Sequence, residues 1–131
     1  MANATGTFEI TSGSEDAYHE TDRGVRLTRA KGTQRFTGEI EGDGSVEWLM
    51  CYLPDGSATF VGLQRIDGSV GGHTGSFILQ AAGTHDGTQS KASWSVVAGS
   101  GMGELAGITG EGSFHAPGGP EATYNLEYQR S

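Results

Sequence analysis

The sequence predicts an all-β chain that closes into one antiparallel meander barrel of eight or nine strands, with residues 1–131 forming a single domain. Three observations carry this reading. Short apolar stretches recur along the whole length, and several alternate with polar residues at the period of two that marks a half-buried strand. Glycine occurs 23 times, about two and a half times its usual ~7% share, and it punctuates those stretches without a collagen period. No segment keeps a helical period, and the best candidate, Gly103–Ile108, makes about one turn. A meander this long leaves two edge strands unless it closes, which favours a barrel over a sandwich.

The elements follow in order. Thr5–Thr11 alternates, with Phe8 and Ile10 on one face and Thr7, Glu9 and Thr11 on the other. Ala17–Lys31 reads as one long or broken strand with Val25 and Leu27 in phase. In Gln34–Glu41, Phe36 and Ile40 share a face, and Gly42-Asp43-Gly44 is expected to turn the chain. Val46–Leu53 is the most apolar run. Pro54-Asp55-Gly56-Ser57 ends it, because proline presets φ and glycine accepts a positive φ. Ala58–Val70 returns, and Gly71–Gly75 leads into Ser76–His85. Asp86-Gly87 turns into Lys91–Ala98. Gly110–Ala116 and Ala122–Arg130 flank Pro117-Gly118-Gly119-Pro120.

Val46–Leu53, Val61–Leu63 and Phe77–Ala82 are apolar on both faces, so both faces need cover. One face is expected to be the barrel interior. The other is expected to be the contact between copies of a homo-oligomer, a dimer in the simplest case.

Composition narrows the function classes. Cys51 is the only cysteine, which rules out an internal disulfide and reads as a buried reduced thiol in a cytoplasmic protein. The N-terminus shows no basic region followed by an apolar run, and no stretch approaches the roughly 18 apolar residues of a membrane helix. Acidic residues outnumber basic ones 16 to 8, for a formal charge of −8. Such a chain repels phosphate backbones and anionic surfaces, so neither nucleic acid nor membrane is an expected partner.

Specific chemistry is sparse. Gly99–Ala106 has a loose G-x-G-x-x-A form, but Gly107, Gly110 and Gly112 break the helix that a dinucleotide site needs, so it reads as a glycine-rich crossover. His19, His73, His85 and His115 lack metal-ligand spacing, and neither a metal nor a cofactor is expected. Glu41 and Glu47 are carboxylates in or beside apolar strands. If interior they would act as general acid or base; if exterior they are solvated or paired with Arg35 or Arg65. Trp48, Tyr52, Gln64, Gln80 and Trp94 are candidate ligand-binding residues, because sparse polar groups on aromatic surfaces orient ligands in apolar cavities.

Strand parity ranks these candidates. Trp48 and Tyr52 share a face, as do Gln64 and Ile66, and Trp94 and Val96; these faces match the inward faces of the terminal strands. Glu41, Glu47 and Gln80 fall on the opposite faces, unless a bulge before Val46 reverses the count.

The segments PDGSATFVG, GSFILQ and GSGMGELAGITGEGSF, in that order within Thr5–Tyr128, resemble the bacterial domain-of-unknown-function family 3224. Barrels of that family are similar to allene oxide cyclase, and the last segment also looks like a glycine-rich stretch of dirigent proteins. The resemblance implies a barrel with a central cavity that confines a reactive apolar molecule, and it carries over no catalytic residue. The expected function is therefore binding of an apolar small molecule, extending to a cofactor-independent cyclase or isomerase. A non-catalytic carrier or structural oligomeric domain is the alternative.

Overall fold

A computed structural model describes residues 1–130. Its strands are β1 (Ala2–Glu20), β2 (Arg26–Gly38), β3 (Ile40–Tyr52), β4 (Ala58–Val70), β5 (His73–His85), β6 (Ser90–Val96), β7 (Met102–Gly103), β8 (Thr109–Ala116) and β9 (Glu121–Gln129). Every pairing is antiparallel. Eight strands close in the cyclic order β1-β2-β3-β4-β5-β6-β8-β9, and the two-residue β7 adds to β5. The seal is made by the first and last long strands, with Ala2 opposite Tyr128 and Glu9 opposite Glu121.

The expected fold class is observed, with three local corrections. The chain from Ala2 to Glu20 is one strand. Gly42-Asp43-Gly44 lies inside β3, and the reversal falls at Gly38-Glu39, where Gly38 has φ +111°. That geometry is cheap only for glycine. Gly44 instead solves a packing problem, since a Cβ there would stand 2.8 Å from the Phe36 ring and 3.1 Å from Gln34 Oε1. Third, Gly103–Ile108 forms successive tight turns, with Leu105 N donating to Met102 O and Ile108 N to Leu105 O. Among the described residues no helix is long and apolar enough to cross a membrane.

The interior is aromatic. Phe8, Phe36, Trp94, Phe114 and Tyr124 are buried and form one connected cluster of rings, with centroids 4.9 Å apart for Phe8–Phe36 and 5.7 Å for Trp94–Phe114. One end is plugged: Leu105 and Ile108 of the β7–β8 segment are buried there beside Ile40, Val70 and Tyr128. The Tyr124 hydroxyl accepts from Ile40 N at 2.9 Å and donates toward Thr37 O or Ile40 O, each at 3.0 Å, fastening β9 to the β2–β3 turn.

The opposite end is open. Beyond Glu9, β1 leaves β9 and continues paired only with β2, forming an arm that rises past the barrel rim. A register shift between Ile10 and Ser12 changes which side chains face inward. Cys51, expected to be buried, is half-buried at an outward position of β3. Leu49, Val61 and Leu63 are exposed at 47%, 49% and 54% on that same outer face.

Candidate functional site

The open end holds a cavity of about 280 Å³. Its walls include Phe8, Trp48, Phe60 and Phe114, with Met50 and Ala30 above them and the Gly119-Pro120 loop at the rim. Trp48 meets Phe60 edge-on at 5.1 Å, and Phe8 meets Phe114 edge-on at 5.3 Å. These edge-to-face pairs fix the wall geometry.

A buried polar chain lies among these rings. The Trp94 indole N–H donates to Gln64 Oε1 at 2.8 Å, and Gln64 Nε2 donates to Gln34 Oε1 at 3.0 Å. An indole nitrogen can only donate, so it fixes the orientation of the Gln64 amide, which in turn fixes Gln34. Gln34 is 1% exposed and lines the cavity, and its Nε2 has no hydrogen-bond partner among the described residues. An unpaired buried donor of this kind costs about 1–3 kcal/mol unless something supplies an acceptor.

At the mouth, the register shift in β1 turns Glu15 toward the cavity, opposite Ala30. Thr28 Oγ1 donates to Glu15 Oε2 at 2.6 Å. Tyr52 sits next to this carboxylate, with the Arg26 guanidinium 5.0 Å over its ring. Burial, followed by the neighbouring Glu15, pushes the Tyr52 hydroxyl up to about 12, and Arg26 opposes that. Ser90, also at the mouth, is joined to His85 Nδ1 at 2.8 Å.

The sequence-predicted residues divide by strand parity. Trp48, Gln64 and Trp94 face the interior as their alternation predicts, and Tyr52 continues that face at the rim. Trp48 lines the cavity, while Gln64 and Trp94 stand behind Gln34. Glu41, Glu47 and Gln80 are exposed on the outer face. No register shift interrupts β3 before Val46, so nothing reverses the count. Glu41 lies 4.0 Å from Arg35 and Glu47 3.9 Å from Arg29, both solvent-exposed pairs of small energetic weight. Both carboxylates are thus solvated outer groups, the expectation attached to an exterior position.

Glu47 and Gln80 instead border an open groove of about 680 Å³ on the outer face, whose floor includes Leu49, Val61 and Leu63. Among the described residues, no group of three or more His, Cys, Asp or Glu side chains is placed to hold a metal ion. Of the cavity lining only Trp48 is among the sequence-predicted site residues, and the two missed residues with the most chemistry are Gln34 and Glu15. Gln34 was detectable, because it lies in phase with Phe36 on an inward face. Glu15 was not, because its direction depends on the register shift.

Fold and site together define a small antiparallel barrel, plugged at one end, with an aromatic cavity at the other. The chain belongs to the family described as "Protein of unknown function (DUF3224)", whose model matches residues 4–128. It is similar over 100% of its length to a solved protein of unknown function from that family in Shewanella oneidensis MR-1. That similarity covers 98% of the other chain at 27% identity, with a TM-score of 0.77. No curated protein gives a significant match.

Proposed function

We propose that this protein binds an apolar small molecule in the open-end cavity. The observation that carries the reading is Gln34, which lines an aromatic-walled space and whose Nε2 has no hydrogen-bond partner among the described residues. A few oriented polar groups in an apolar cavity are the usual make-up of a small-molecule site. The likeness to allene oxide cyclase and dirigent barrels noted in the sequence supports the same reading and extends it to steering a ring closure or isomerisation by confinement. Among the described residues, the polar side chains on the lining are Gln34, Glu15, Ser90 and Glu121, with Tyr52 beside Glu15 and His85 joined to Ser90.

The test uses a neutral apolar fluorophore such as N-phenyl-1-naphthylamine. Saturable one-to-one binding is expected, and it is lost in Ala116→Trp, which fills the mouth. Undiminished binding by a folded Ala116→Trp variant places the site elsewhere and rejects the proposal. Native mass spectrometry of freshly purified protein reads any retained molecule directly.

A second reading, a structural oligomeric role, is favoured by the exposed Leu49, Val61 and Leu63 strip. On this reading a second copy covers the strip. The two proposals use opposite faces of the same strands and are compatible.

A further inference from the structure

We propose that the cavity selects molecules with a flat apolar body and a non-anionic hydrogen-bond acceptor, such as a ketone carbonyl, at the buried end. This rests on the binding reading above and adds the ligand's chemistry.

The polarity of the buried chain is the first argument. Because Trp94 can only donate, the order Trp94 to Gln64 to Gln34 leaves an N–H, not a carbonyl oxygen, as the free end. A ligand hydroxyl or carbonyl oxygen satisfies that end; a group that only donates does not. Replacing Gln34 by an apolar side chain would withdraw the free donor from the cavity wall to Gln64 Nε2 behind it, and the lack of a side chain at Gly44 leaves room for Gln34 and Phe36.

Size is the second argument. A cavity of about 150 Å³ accepts benzene. The present space, about 280 Å³, takes roughly two fused rings plus a small substituent.

Charge is the third. The cavity lining carries Glu15 and Glu121 and neither lysine nor arginine among the described residues. The Arg26 guanidinium, which is near the mouth, lies over the Tyr52 ring. The chain as a whole has formal charge −8. A carboxylate ligand would meet two carboxylates at the rim and no cation inside, whereas a ketone meets only a donor.

Three probes of nearly one shape separate these terms: 2-acetylnaphthalene, its alkene isostere 2-isopropenylnaphthalene, and 2-naphthoate. With the full chain, the ketone is expected to bind about fivefold or more tightly than the alkene, the worth of one net hydrogen bond. The carboxylate is expected to bind at least tenfold more weakly than the ketone. Gln34→Met should reduce the ketone-to-alkene ratio to about one while leaving alkene affinity in place, and Glu15→Gln should strengthen 2-naphthoate. In parallel, the Gln34 side-chain amide resonance of the unmodified chain should move with the ketone and stay put with the alkene, a readout that survives if Gln34→Met does not fold. Equal ketone and alkene affinities with an unmoved Gln34 resonance overturn the acceptor assignment and leave cavity binding intact. Carboxylate affinity matching the ketone overturns the charge argument. If none of the three binds, the cavity-binding reading itself fails.

Discussion

The plugged end of the barrel and its open end are made from the same strands, and they differ in what fills them. At the plugged end the interior holds Leu126, Leu105, Ile108 and Ile40, all at most 1% exposed, and the Tyr124 hydroxyl there both accepts and donates a hydrogen bond. At the open end Trp48 and Met50 are only partly buried, and Gln34 ends in a free donor. The plugged end therefore carries the stability, and the open end trades packing for a concave surface. Sites are commonly found where a fold accepts such a deficit.

The sharpest way to break this comparison is paired truncation. Leu126→Ala should cost about 3–5 kcal/mol, while Met50→Ala, half-buried against a cavity, should cost about 1–2 kcal/mol. Urea unfolding of the two variants measures the difference; equal losses would mean the two ends are equally packed. Next in size is Tyr124→Phe, which removes a buried hydroxyl and leaves the Ile40 N–H without its acceptor, for about 1–3 kcal/mol.

A pH experiment sharpens the same contrast. Burial, reinforced by the charge of Glu39 and opposed by the Ile40 backbone, pushes the Tyr124 hydroxyl up to about 12, and Tyr52 at the open end is also raised to about 12. For an acid whose folded value is raised, the stabilisation is fully present below the unfolded value near 10 and is lost as pH rises through the folded value. Stability should therefore fall between pH 10 and 12, and Tyr124→Phe and Tyr52→Phe should each flatten part of that fall. Denaturation midpoints across the alkaline range, with phenolate absorbance as a second readout, decide this.

The smallest expected effect on the fold is at the outer strip. Leu63→Lys should leave the circular dichroism unchanged but convert a dimer to a particle of the monomer mass, 13.6 kDa, in light scattering. A wild-type chain that already runs as a monomer at micromolar concentration rejects the self-association proposal.

Much of this was legible in the sequence, and the limits have physical reasons. Alternation in Phe36–Ile40, Trp48–Tyr52, Gln64–Ile66 and Trp94–Val96 matched the inward faces, because a period of two has a single phase once the apolar members are known. The same parity put Glu41, Glu47 and Gln80 outside. Gly42-Asp43-Gly44 misled because turn composition is also what close-packed barrel interiors use: glycine there makes room for Phe36 and Gln34 instead of turning the chain. The unpaired Gln34 donor depends on three side chains from β2, β4 and β6 meeting in the interior, and no local pattern encodes such a meeting.

The seal between β1 and β9 has a consequence for how the chain is made. Apart from the β6–β8 crossover, the other long-strand pairings join neighbours in sequence and form as local hairpins at small loop-closure cost. The last pairing must wait until Glu121–Gln129 has left the ribosome, so the Ala2–Glu9 edge stays bare for most of synthesis. Two nascent or partly unfolded chains in that condition each offer a vacant edge shaped for the other's final strand. Exchange of β9 between copies is therefore the misassembly this topology invites; the Tyr124 contact with the β2–β3 turn re-forms in the exchanged state, so it is the nearness of the two edges within one chain that favours keeping its own strand.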